Sequence, residues 1–561
     1  MPLRIVIVGG VAGGMSAATR ARRMNEDASI IVLERGGFIS FANCGLPYYL
    51  AGRIESEDKL LVTTAARVRE RFNIDARVRH EVTLIDRNAK EVEVRDDAAG
   101  TTYRLSYDKL ILATGASPML PRIDEVGARQ SNVFLLRSME DARSVQRWIV
   151  EQEPRLAVIV GAGFIGLEMA EALCDRGLRV TIVEKSQQVL QPLDPEMAEP
   201  IAAELAKHGV DVITGMGLSK LRSAGAGDLT SVEVRDDAKK LGHEIPADMV
   251  LLSIGVKPNV SLAAAADLTI GASGAIAVDA YQRTNDPDIY AVGDASEATH
   301  GVTDTKVRIP LAGPANRQGR LAGEHAATGT SDSAARVFGT SIVQVFGISA
   351  GLTGLSEAAA RKAGLNFDTS YVVAGHHAGY YPGAEPMIIK LVYEKPTRRV
   401  LGAQAVGAAG VDKRIDIVAT LLHFGGTLED LASLDLAYAP QFGSAKDPIH
   451  LAAMVAQNQL RGTVAAVSAL AVDGDLRLDV RTRSEYAAGS LQGAINIPLD
   501  ELRSRLGELD VSRPITVYCQ VGLRGYVASR ILMQHGFSNV RNLKGGYRVA
   551  KLWAEPSSSS N

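Results

Sequence analysis

Cysteine is scarce in this sequence: Cys44, Cys174 and Cys519 are the only three in 561 residues. This scarcity excludes a scaffold held together by disulfides and indicates a reducing compartment. No second cysteine lies near Cys44, so this thiol has no local protein partner with which to form a disulfide. A reactive Cys44 must therefore bond to a sulfur or oxygen atom supplied from outside, as a mixed disulfide, a persulfide or a sulfenic acid.

The sequence also lacks an excess of charge of either sign. It has 61 Lys and Arg against 64 Asp and Glu, a net charge of −3, which gives no indication of a nucleic-acid partner or an anionic membrane surface. The longest apolar stretch, residues 156–174, is interrupted by Glu168 and Glu171, so no membrane span is predicted. Met1 leads almost directly into a predicted strand, which leaves no room for a cleavable signal peptide. We therefore expect a cytoplasmic protein that binds neither nucleic acid nor membrane.

Two segments, one starting at residue 4 and the other at residue 156, share one pattern. Each consists of a strand, a glycine-rich turn, a helix and a second strand that ends on an acid, which is the fingerprint of a dinucleotide site. The glycines permit a tight turn, the helix N-terminus faces the pyrophosphate, and the acid accepts from the ribose hydroxyls. The first segment departs from the strict pattern because Val11 occupies the second glycine position. The residues predicted to bind the two nucleotides are Gly9, Gly10, Ala12, Gly13, Gly14, Glu34 and Arg35 in the first segment and Gly161, Gly163, Gly166 and Glu184 in the second.

Two further predicted strands end on small or acidic residues. Residues 110–116 end on a turn with Thr114 and Gly115, and residues 288–295 deliver Gly293 and Asp294 at the carboxyl end of a strand, where ligands bind in open α/β sheets. Together with the two fingerprints, this order resembles the two-dinucleotide flavoprotein disulfide reductases over about residues 1–450. The resemblance implies that the first fingerprint and these two strands bind FAD, that the second fingerprint binds a nicotinamide nucleotide, and that no metal is required.

The pattern changes towards the C-terminus. From about residue 338, alternating strands followed by amphipathic helices resemble the dimerisation domain of the same family, and residues 476–547 resemble a rhodanese domain. The implied fold class is α/β, with two Rossmann-like dinucleotide-binding domains (FAD and NAD), an α+β dimerisation domain and a C-terminal α/β rhodanese domain. The predicted boundaries are 1–115 and 252–325 (FAD-binding), 116–251 (NAD-binding), 326–450 (dimerisation), 451–465 (linker), 466–555 (rhodanese) and 556–561 (disordered tail).

Cys519 follows a hydrophobic strand and opens a loop that contains Gly522 and ends at Arg524. A thiolate in this loop meets successive backbone N–H groups, a helix N-terminus and a guanidinium, all of which lower its pKa. The loop is shorter than the one with which cysteine phosphatases hold a tetrahedral oxyanion, so it is predicted to hold a terminal sulfur, with Cys519 and Arg524 as catalytic residues. Cys174, on the helix of the second fingerprint, is interpreted as a small core residue.

The segment around Cys44, residues 40–49 (SFANCGLPYY), resembles the active-site segment of coenzyme A-disulfide reductases. NADH oxidases and peroxidases have a similar but less close segment, and use their single cysteine as a sulfenic acid. The resemblance implies that Cys44 is the redox-active cysteine, and that Tyr438, with Tyr380 or Tyr381 as a second phenol, donates to or protonates a departing thiolate. The implied contacts with coenzyme A are Arg20, Arg23, Ser40, Asn43, His300 and Lys446.

The whole chain resembles a coenzyme A-disulfide reductase fused to a C-terminal rhodanese, a type associated with NAD(P)H-dependent reduction of persulfides and polysulfides. The leading interpretation is an FAD-dependent homodimer that uses NADH to reduce coenzyme A persulfide, polysulfide or related small sulfur substrates at Cys44, while Cys519 carries sulfane sulfur. NADH is predicted over NADPH because Glu184 repels a 2′-phosphate. Three alternatives stay open: a coenzyme A-disulfide reductase with an accessory rhodanese, a sulfur carrier or redox sensor with structural FAD, and an NADH oxidase or peroxidase.

Overall fold

A computed structural model describes residues 2–121, 131–223, 229–236, 241–468 and 474–554. Their contacts divide the chain into two compact units, the first made of Met1–Lys185 and Ile213–Gly339 and the second of Ser186–Val212 and Thr340–Asn561. The predicted NAD-binding range, 116–251, thus includes residues 186–212, which the contacts group with the second unit. The predicted disordered tail, 556–561, lies outside the described residues.

The helices and strands up to residue 328 include the strand–helix–strand unit of each fingerprint, β1–α1–β2 and β10–α5–β11. The first group is β1 (Arg4–Val8), α1 (Ala12–Met24), β2 (Ser29–Glu34), α2 (Leu46–Leu50), α3 (Ala65–Phe72), β3 (Asp75–Val78), β4 (His80–Asp86), β5 (Glu91–Asp96), β6 (Thr101–Ser106) and β7 (Lys109–Leu112). The second group is β8 (Ala116–Pro118), β9 (Val133–Phe134), α4 (Met139–Gln152), β10 (Leu156–Val160), α5 (Phe164–Asp175), β11 (Arg179–Glu184), α6 (Pro195–Lys207), β12 (Asp211–Thr214), β13 (Gly217–Ser223), β14 (Leu229–Asp236), β15 (Leu241–Pro246) and β16 (Met249–Leu252). The third group is β17 (Val256–Pro258), α7 (Ser261–Ala265), β18 (Ile289–Ala291), β19 (Ala298–Thr299), β20 (Lys306–Val307) and α8 (Ala312–Thr328).

The first fingerprint lies in a five-stranded parallel sheet with the order β18–β7–β1–β2–β3. The inner strands are continuous apolar runs because both faces of the sheet are covered. Helices α1 and α8 pack closely through glycines: a Cβ at Gly319 would lie 2.1 Å from the Gly13 carbonyl oxygen, and one at Gly323 would lie 2.2 Å from the Ala17 carbonyl oxygen. The small residues of α8 therefore set the position of α1, whose N-terminus follows the first glycine turn.

The second fingerprint lies in another parallel sheet, in which β11, β10, β16 and β9 are neighbours in that order. Each parallel sheet is accompanied by a three-stranded antiparallel sheet, β4–β5–β6 in one case and β13–β14–β15 in the other. The first unit thus contains two dinucleotide-type folds, as the sequence predicted.

The second unit continues with an antiparallel sheet and its helices: β21 (Ser341–Val345), β22 (Ile348–Gly354), α9 (Glu357–Lys362), β23 (Phe367–Gly375), β24 (Pro386–Glu394), β25 (Val400–Gly407), α10 (Val411–His423), α11 (Leu428–Ser433) and α12 (Pro448–Leu460). The strand order is β21–β22–β25–β24–β23. Helix α12 is attached to this sheet, because Ser370 Oγ donates to the Ala452 carbonyl at 2.9 Å and Tyr393 Oη donates to Gln459 Oε1 at 2.7 Å. Residues 451–460 of the predicted linker therefore belong to a packed helix.

The C-terminal elements form a second, parallel sheet in this unit: β26 (Ala465–Val467), β27 (Leu476–Asp479), α13 (Arg483–Ala487), β28 (Ile495–Asn496), α14 (Leu499–Leu502), β29 (Ile515–Tyr518), α15 (Leu523–Gln534), β30 (Val540–Leu543) and α16 (Gly546–Ala554). The strand order is β26–β30–β29–β27–β28. Between β30 and α16, Lys544 Nζ donates to Asp368 Oδ1 at 2.6 Å and to Thr369 Oγ1 at 3.2 Å. This ion pair fixes the C-terminal domain to strand β23.

A buried lysine joins α6 and α9 to the antiparallel sheet. Lys390 on β24 is 0% exposed, and its Nζ lies 2.5 Å from Glu196 Oε1, 2.8 Å from Asp194 Oδ2 and 2.8 Å from Glu357 Oε2. Tyr371 Oη also donates to Glu196 Oε1, at 2.5 Å. The Lys390 ammonium therefore lies between the three carboxylates, in the place where a metal ion bound by them would lie.

Candidate active site

The first glycine turn, between β1 and α1, requires glycine at two positions. Gly9 has a φ of +101°, and a Cβ there would lie 2.2 Å from the Ala113 carbonyl oxygen; a Cβ at Gly14 would lie 1.8 Å from the Gly9 carbonyl oxygen. Val11 has a φ of −103°, a conformation open to any residue, which explains why the fingerprint tolerates valine there. The carboxylate of Glu34 accepts from Gly10 N–H at 2.7 Å and from Gly36 N–H at 2.7 Å. These bonds fix the acid at the end of β2.

The second turn, between β10 and α5, repeats this arrangement. Gly161 has a φ of +107° and its Cβ would lie 2.5 Å from the Ser253 carbonyl oxygen, while a Cβ at Gly166 would lie 2.0 Å from the Gly161 carbonyl oxygen. Glu184 Oε2 accepts from Ala162 N–H at 2.8 Å, as Glu34 does in the first turn. Gly163 precedes α5 and faces open space. The two segments that repeat in the sequence therefore also have the same turn geometry in the structure.

A cavity of about 1000 Å³ opens along the first turn. Its volume, its glycine cradle and the fixed Glu34 carboxylate fit a dinucleotide flavin, since a Cβ at Gly9 or at Gly13, 3.1 Å from Val292 Cγ2, would fill part of that cradle. The predicted site residues that line this cavity are Gly9, Ala12, Gly13, Glu34, Arg35, Ser40, Asn43, Cys44, Thr114, Gly115, Gly293 and Asp294. Gly10 and Gly14 belong to the turn without lining the cavity.

Cys44 lies in the wall of this cavity, in the short 3₁₀ turn Asn43–Gly45 ahead of α2, and is exposed. The pKa of Cys44 is raised, because partial burial of the thiol and the nearby Glu168 carboxylate outweigh the Arg137 guanidinium, which lowers it. Arg137 is fixed at both ends: its carbonyl accepts from Asn43 Nδ2 at 3.1 Å, and its Nη2 donates to Asp294 Oδ2 at 2.9 Å. Arg137 therefore connects the turn that contains Cys44 with the 3₁₀ turn Gly293–Ala295, which follows β18.

Glu168 and Tyr48 form a pair beside Cys44. Tyr48 Oη donates to Glu168 Oε1 at 3.2 Å. Burial raises the pKa of Glu168, and burial together with the Glu168 charge raises the pKa of Tyr48 to about 12. Tyr48, Glu168 and Arg137 were not predicted as site residues; the sequence signal for Tyr48 was its place in the segment that resembled coenzyme A-disulfide reductases.

The predicted coenzyme A contacts divide into residues in the cavity and residues elsewhere. Ser40 and Asn43 line the cavity. Arg20 binds Glu324 through Nε at 2.8 Å and Nη2 at 2.6 Å, and Arg23 Nε donates to the Thr19 carbonyl at 2.9 Å. His300 is outside the cavity lining and is buried, with its Nδ1 accepting from Val302 N–H at 3.2 Å.

Two arginines that sequence reasoning missed line the cavity instead. Arg67 and Arg71 are four positions apart on α3, so both lie on one face of that helix. In the sequence, the four-residue spacing of these two arginines within AARVRERF indicated that they share one face of a helix. These guanidiniums suit phosphate oxygens.

The tyrosines of the second unit form one pair. The hydroxyls of Tyr380 and Tyr438 are 2.9 Å apart and hydrogen-bonded, whereas the ring of Tyr381 packs edge-on against His377, 5.6 Å between centroids. Both members of the pair are exposed, at 77% and 50%, as is Phe442 at 68%. Lys446 is exposed on the same segment as Tyr438. Tyr380, and not Tyr381, is thus the one of the two adjacent tyrosines that is hydrogen-bonded to Tyr438.

Cys519 directly follows β29 and is buried. Its Sγ accepts from Gly522 N–H at 3.2 Å, and its carbonyl accepts from Tyr547 N–H at 2.7 Å. A Cβ at Gly546 would lie 2.5 Å from that carbonyl, so glycine allows α16 to start directly behind the loop. The loop therefore directs the Gly522 N–H at the sulfur, one of the backbone donors that the sequence analysis expects there.

Two arginines support the Cys519 loop. Arg524 donates from Nη1 to Glu485 Oε2 at 2.8 Å and from Nη2 to Glu485 Oε1 at 2.7 Å. Arg481 is buried, donates to Asp479 Oδ2 at 2.6 Å and to Gln520 Oε1 at 3.2 Å, and lies over the Tyr547 ring with its Cζ 4.0 Å from the centroid. Cys174, by contrast, lies half-buried on α5, where burial raises its pKa to about 11; the sequence analysis interpreted it as a core residue.

Three family models match the chain. Residues 3–319 match pyridine nucleotide-disulphide oxidoreductase, residues 340–448 match the dimerisation domain of that family, and residues 463–551 match the rhodanese-like domain. The chain therefore belongs to the pyridine nucleotide-disulphide oxidoreductase family and carries an additional rhodanese-like domain. The predicted fold class and the predicted resemblance to this family are confirmed.

Individual relatives and solved structures are similar to most or all of the chain. The coenzyme A disulfide reductase of Staphylococcus epidermidis is 31% identical over 454 residues, which are 81% of this chain and 100% of that protein. The solved structure of reduced Bacillus anthracis CoADR-RHD is 41% identical, with a TM-score of 0.92 over 98% of each chain. A NAD-dependent persulfide reductase from A. fulgidus is 39% identical, with a TM-score of 0.91 over 98% of this chain and 100% of that chain.

Membership of this family identifies the chain as a flavoprotein oxidoreductase. FAD and NAD(P)H are the cofactors of the family, which confirms that part of the cofactor prediction. The match to the dimerisation domain indicates a homodimer. Among the described residues, the structure contains no helix that is both long and apolar enough to cross a bilayer.

Proposed function

We propose that this chain is an FAD-dependent reductase that uses NADH to reduce coenzyme A persulfide, polysulfide or related sulfane sulfur, and that Cys519 carries sulfane sulfur in the rhodanese-like domain. One observation carries the proposal: Cys44 lies in the wall of the cavity that fits the flavin, and its neighbours in the sequence include no second cysteine. The names of the similar proteins, a coenzyme A disulfide reductase and a NAD-dependent persulfide reductase, support the substrate class. The proposed compartment is the cytoplasm.

The proposed reaction at Cys44 has two balanced steps. The Cys44 thiolate attacks the sulfane sulfur of a persulfide, so that a bond forms between Cys44 Sγ and that sulfur while the donor S–S bond breaks and the thiolate of coenzyme A leaves. When bound, FAD supplies the two electrons, taken from NADH, that cleave the new S–S bond to give hydrosulfide and the Cys44 thiolate. Arg137 opposes the effects of burial and Glu168 on the Cys44 pKa and so favours the reactive thiolate.

The cavity supports coenzyme A as the carrier. Arg67 and Arg71, with Ser40 and Asn43, line the cavity that also contains Cys44, and guanidiniums bind phosphate oxygens in a bidentate manner. We assign them to coenzyme A and keep Arg20, Arg23, His300 and Lys446 as predicted contacts. In this proposal Arg20 exchanges its ion pair with Glu324 for a phosphate.

The opposite subunit contributes in this proposal. The exposed pair of Tyr380 and Tyr438, with Lys446 nearby in the sequence, is assigned to the active site of the other protomer. Whichever phenol accepts in this pair keeps its own O–H proton available for donation to a departing thiolate. An exposed group of aromatic residues is also the composition expected of a protein interface.

A coenzyme A-disulfide reductase is the second candidate, favoured by the similarity to the Staphylococcus epidermidis enzyme. Steady-state turnover with NADH should be compared for coenzyme A persulfide and coenzyme A disulfide. A higher kcat/KM for the persulfide, with one hydrosulfide formed per NADH, supports the proposal; a higher kcat/KM for the disulfide supports the second candidate.

The remaining alternatives are tested by two observations. A sulfur carrier with structural FAD would not show rapid bleaching of the flavin by NADH. An NADH oxidase or peroxidase would be isolated with a sulfenic acid on Cys44, which mass spectrometry distinguishes from a coenzyme A adduct.

A further inference from the structure

The loop that follows Cys519 carries no charged side chain before Arg524. Its residues are Gln520, Val521, Gly522 and Leu523. Gly522 N–H donates to Cys519 Sγ at 3.2 Å, and Leu523 is 70% exposed. The first charged side chain after Cys519 is therefore the guanidinium of Arg524.

The charge of Arg524 is neutralised. Both terminal nitrogens of its guanidinium donate to the Glu485 carboxylate, at 2.7 and 2.8 Å. Glu485 is itself held by the N-terminus of α13, since its Oε2 accepts from Thr482 N–H at 3.0 Å. The hydrogen bonds from Arg524 lower the pKa of Glu485 to about 2, so the carboxylate is ionised at any pH at which the enzyme is assayed.

The second arginine that contacts the loop is also paired. Arg481 reaches Gln520 Oε1 at 3.2 Å but is buried against Asp479, with Nη2 to Oδ2 at 2.6 Å. Neither arginine therefore adds an uncompensated positive charge to the loop. An anion with two charges next to the transferred sulfur therefore gains little from either of these two arginines, because each is paired with a carboxylate.

We propose that Glu485 determines the specificity of this site: by neutralising Arg524, it makes Cys519 accept organic persulfides in preference to thiosulfate. The inference rests on the proposed function of Cys519 as the carrier of sulfane sulfur, and it names the class of donor. Glu485 does not touch the donor; it acts through Arg524.

The two donors differ in the group that leaves. With a persulfide, Cys519 Sγ bonds to the terminal sulfur, the donor S–S bond breaks, and its electron pair leaves with an organic thiolate. With thiosulfate the same bond forms, and the pair leaves with sulfite, which carries two negative charges away from the site. An unpaired guanidinium stabilises the second leaving group more than the first.

The test is the ratio of two rates in the full-length protein. Sulfur transfer to cyanide should be measured with thiosulfate and with a small alkyl persulfide for wild type and for Glu485→Gln, which keeps the size of the side chain and removes its charge. We expect wild type to have the higher kcat/KM with the persulfide. Glu485→Gln should raise the ratio of thiosulfate to persulfide kcat/KM about tenfold, which is the size of effect that an uncompensated charge has on specificity.

Glu501→Gln is the matched control. Glu501 is an exposed acid of the same domain that pairs with Arg483 and Arg505, so this variant changes the net charge equally without affecting Arg524. Its ratio should stay within about twofold of wild type. Glu485→Asp, which retains the charge, should also keep the wild-type preference.

Several results overturn the inference. A wild-type preference for thiosulfate does so even if no variant folds. An unchanged or lower ratio in Glu485→Gln shows that Glu485 only supports the loop. If mass spectrometry finds no sulfur on wild-type Cys519 after incubation with either donor, the proposed carrier function fails as well; if sulfur is found but the ratio does not shift, only the inference about Glu485 fails.

Discussion

At the scale of single residues, the charges around Cys44 have opposite effects on its reactivity. Burial and Glu168 raise its pKa, and Arg137 lowers it. Arg137 is held by Asp294, which lies in the 3₁₀ turn Gly293–Ala295 after β18 and lines the flavin cavity. Arg137 and Asp294 therefore line the cavity and also surround Cys44, the one cysteine among the described residues that line it. The first prediction concerns this cysteine.

Cys44→Ser should abolish NADH-driven reduction of every sulfur substrate while FAD stays bound. Serine keeps the shape of the side chain but cannot form a persulfide. Turnover should be measured by NADH oxidation, with flavin content determined from absorbance. Cys174→Ser is the control, because Cys174 lies on α5 with a raised pKa, and it should retain activity. Turnover of Cys44→Ser within about tenfold of wild type would refute the assignment.

Nicotinamide preference should follow from Glu184, whose carboxylate is positioned at the end of β11 by Ala162 N–H. A carboxylate in this position accepts from a ribose 2′-hydroxyl and repels a 2′-phosphate. We expect kcat/KM to be at least about tenfold higher with NADH than with NADPH, and Glu184→Ala to reduce this difference. Lys185 follows directly and opposes the effect. An equal or higher kcat/KM with NADPH in wild type contradicts the prediction.

Some of the predicted site residues are recognisable in the sequence because the backbone requires glycine at their positions. Gly9 and Gly161 have positive φ and no room for a Cβ, and this requirement is visible as a motif. Arg67 and Arg71 were missed because a short amphipathic helix with arginines is typical of any solvated surface. The choice between Tyr380 and Tyr381 needed a distance, since adjacent residues have the same sequence context.

At the scale of elements, buried apolar strands and glycine turns were predictable, and the packing of helices was not. Residues 451–460 read as the end of a helix and a linker, yet α12 is bonded to β23 and β24 through Ser370 and Tyr393. Lys390 lies in the apolar run of β24. The alternation of apolar and polar residues along this strand does not indicate that the Lys390 ammonium is buried. Its partners come from α6 and α9, distant in sequence.

Lys390→Met should lower the free energy of unfolding of the second unit by about 3–5 kcal/mol, because it leaves buried carboxylates without their cation. Chemical denaturation followed by circular dichroism measures this change. Lys395→Met is the control: Lys395 is exposed, and its replacement should change stability by less than about 0.5 kcal/mol. A similar small loss in Lys390→Met would show that the cluster contributes little.

The same cluster predicts a dependence on pH. Burial by itself raises the pKa of Asp194, but the Lys390 charge and the hydrogen bonds from Lys390, Glu357 and Ala358 outweigh it and hold this pKa below its usual value. Because the pKa of Asp194 is lower in the folded state, ionised Asp194 stabilises the fold at pH values above the unfolded-state pKa of about 4. This stabilisation is lost as the pH falls through the folded-state pKa. Wild type should therefore lose stability below about pH 4 more steeply than Lys390→Met does.

At the scale of the whole molecule, the family match to a dimerisation domain and the exposed aromatic side chains agree. We expect a homodimer in which Tyr380 and Tyr438 enter the other protomer's site. Light scattering should give twice the mass of the 59.6 kDa chain. A double variant, Tyr380→Phe with Tyr438→Phe, should remain dimeric and lose turnover about tenfold or more. A fully active monomer contradicts both expectations.

The last prediction separates the two cysteines. Cys519→Ser should abolish sulfurtransferase activity with thiosulfate or persulfide and leave flavin reduction by NADH intact, because the two thiols belong to different compact units and each half-reaction has its own nucleophile. Small, freely diffusing persulfides should still be reduced at rates within about twofold of wild type, since they reach Cys44 without the rhodanese-like domain. Only bulky or protein-bound donors should need Cys519 to relay sulfur. Measured turnover with a coenzyme A persulfide and with a persulfidated protein decides the matter: loss of both in Cys519→Ser would make the rhodanese-like domain an obligatory relay and overturn the division of labour proposed for this chain.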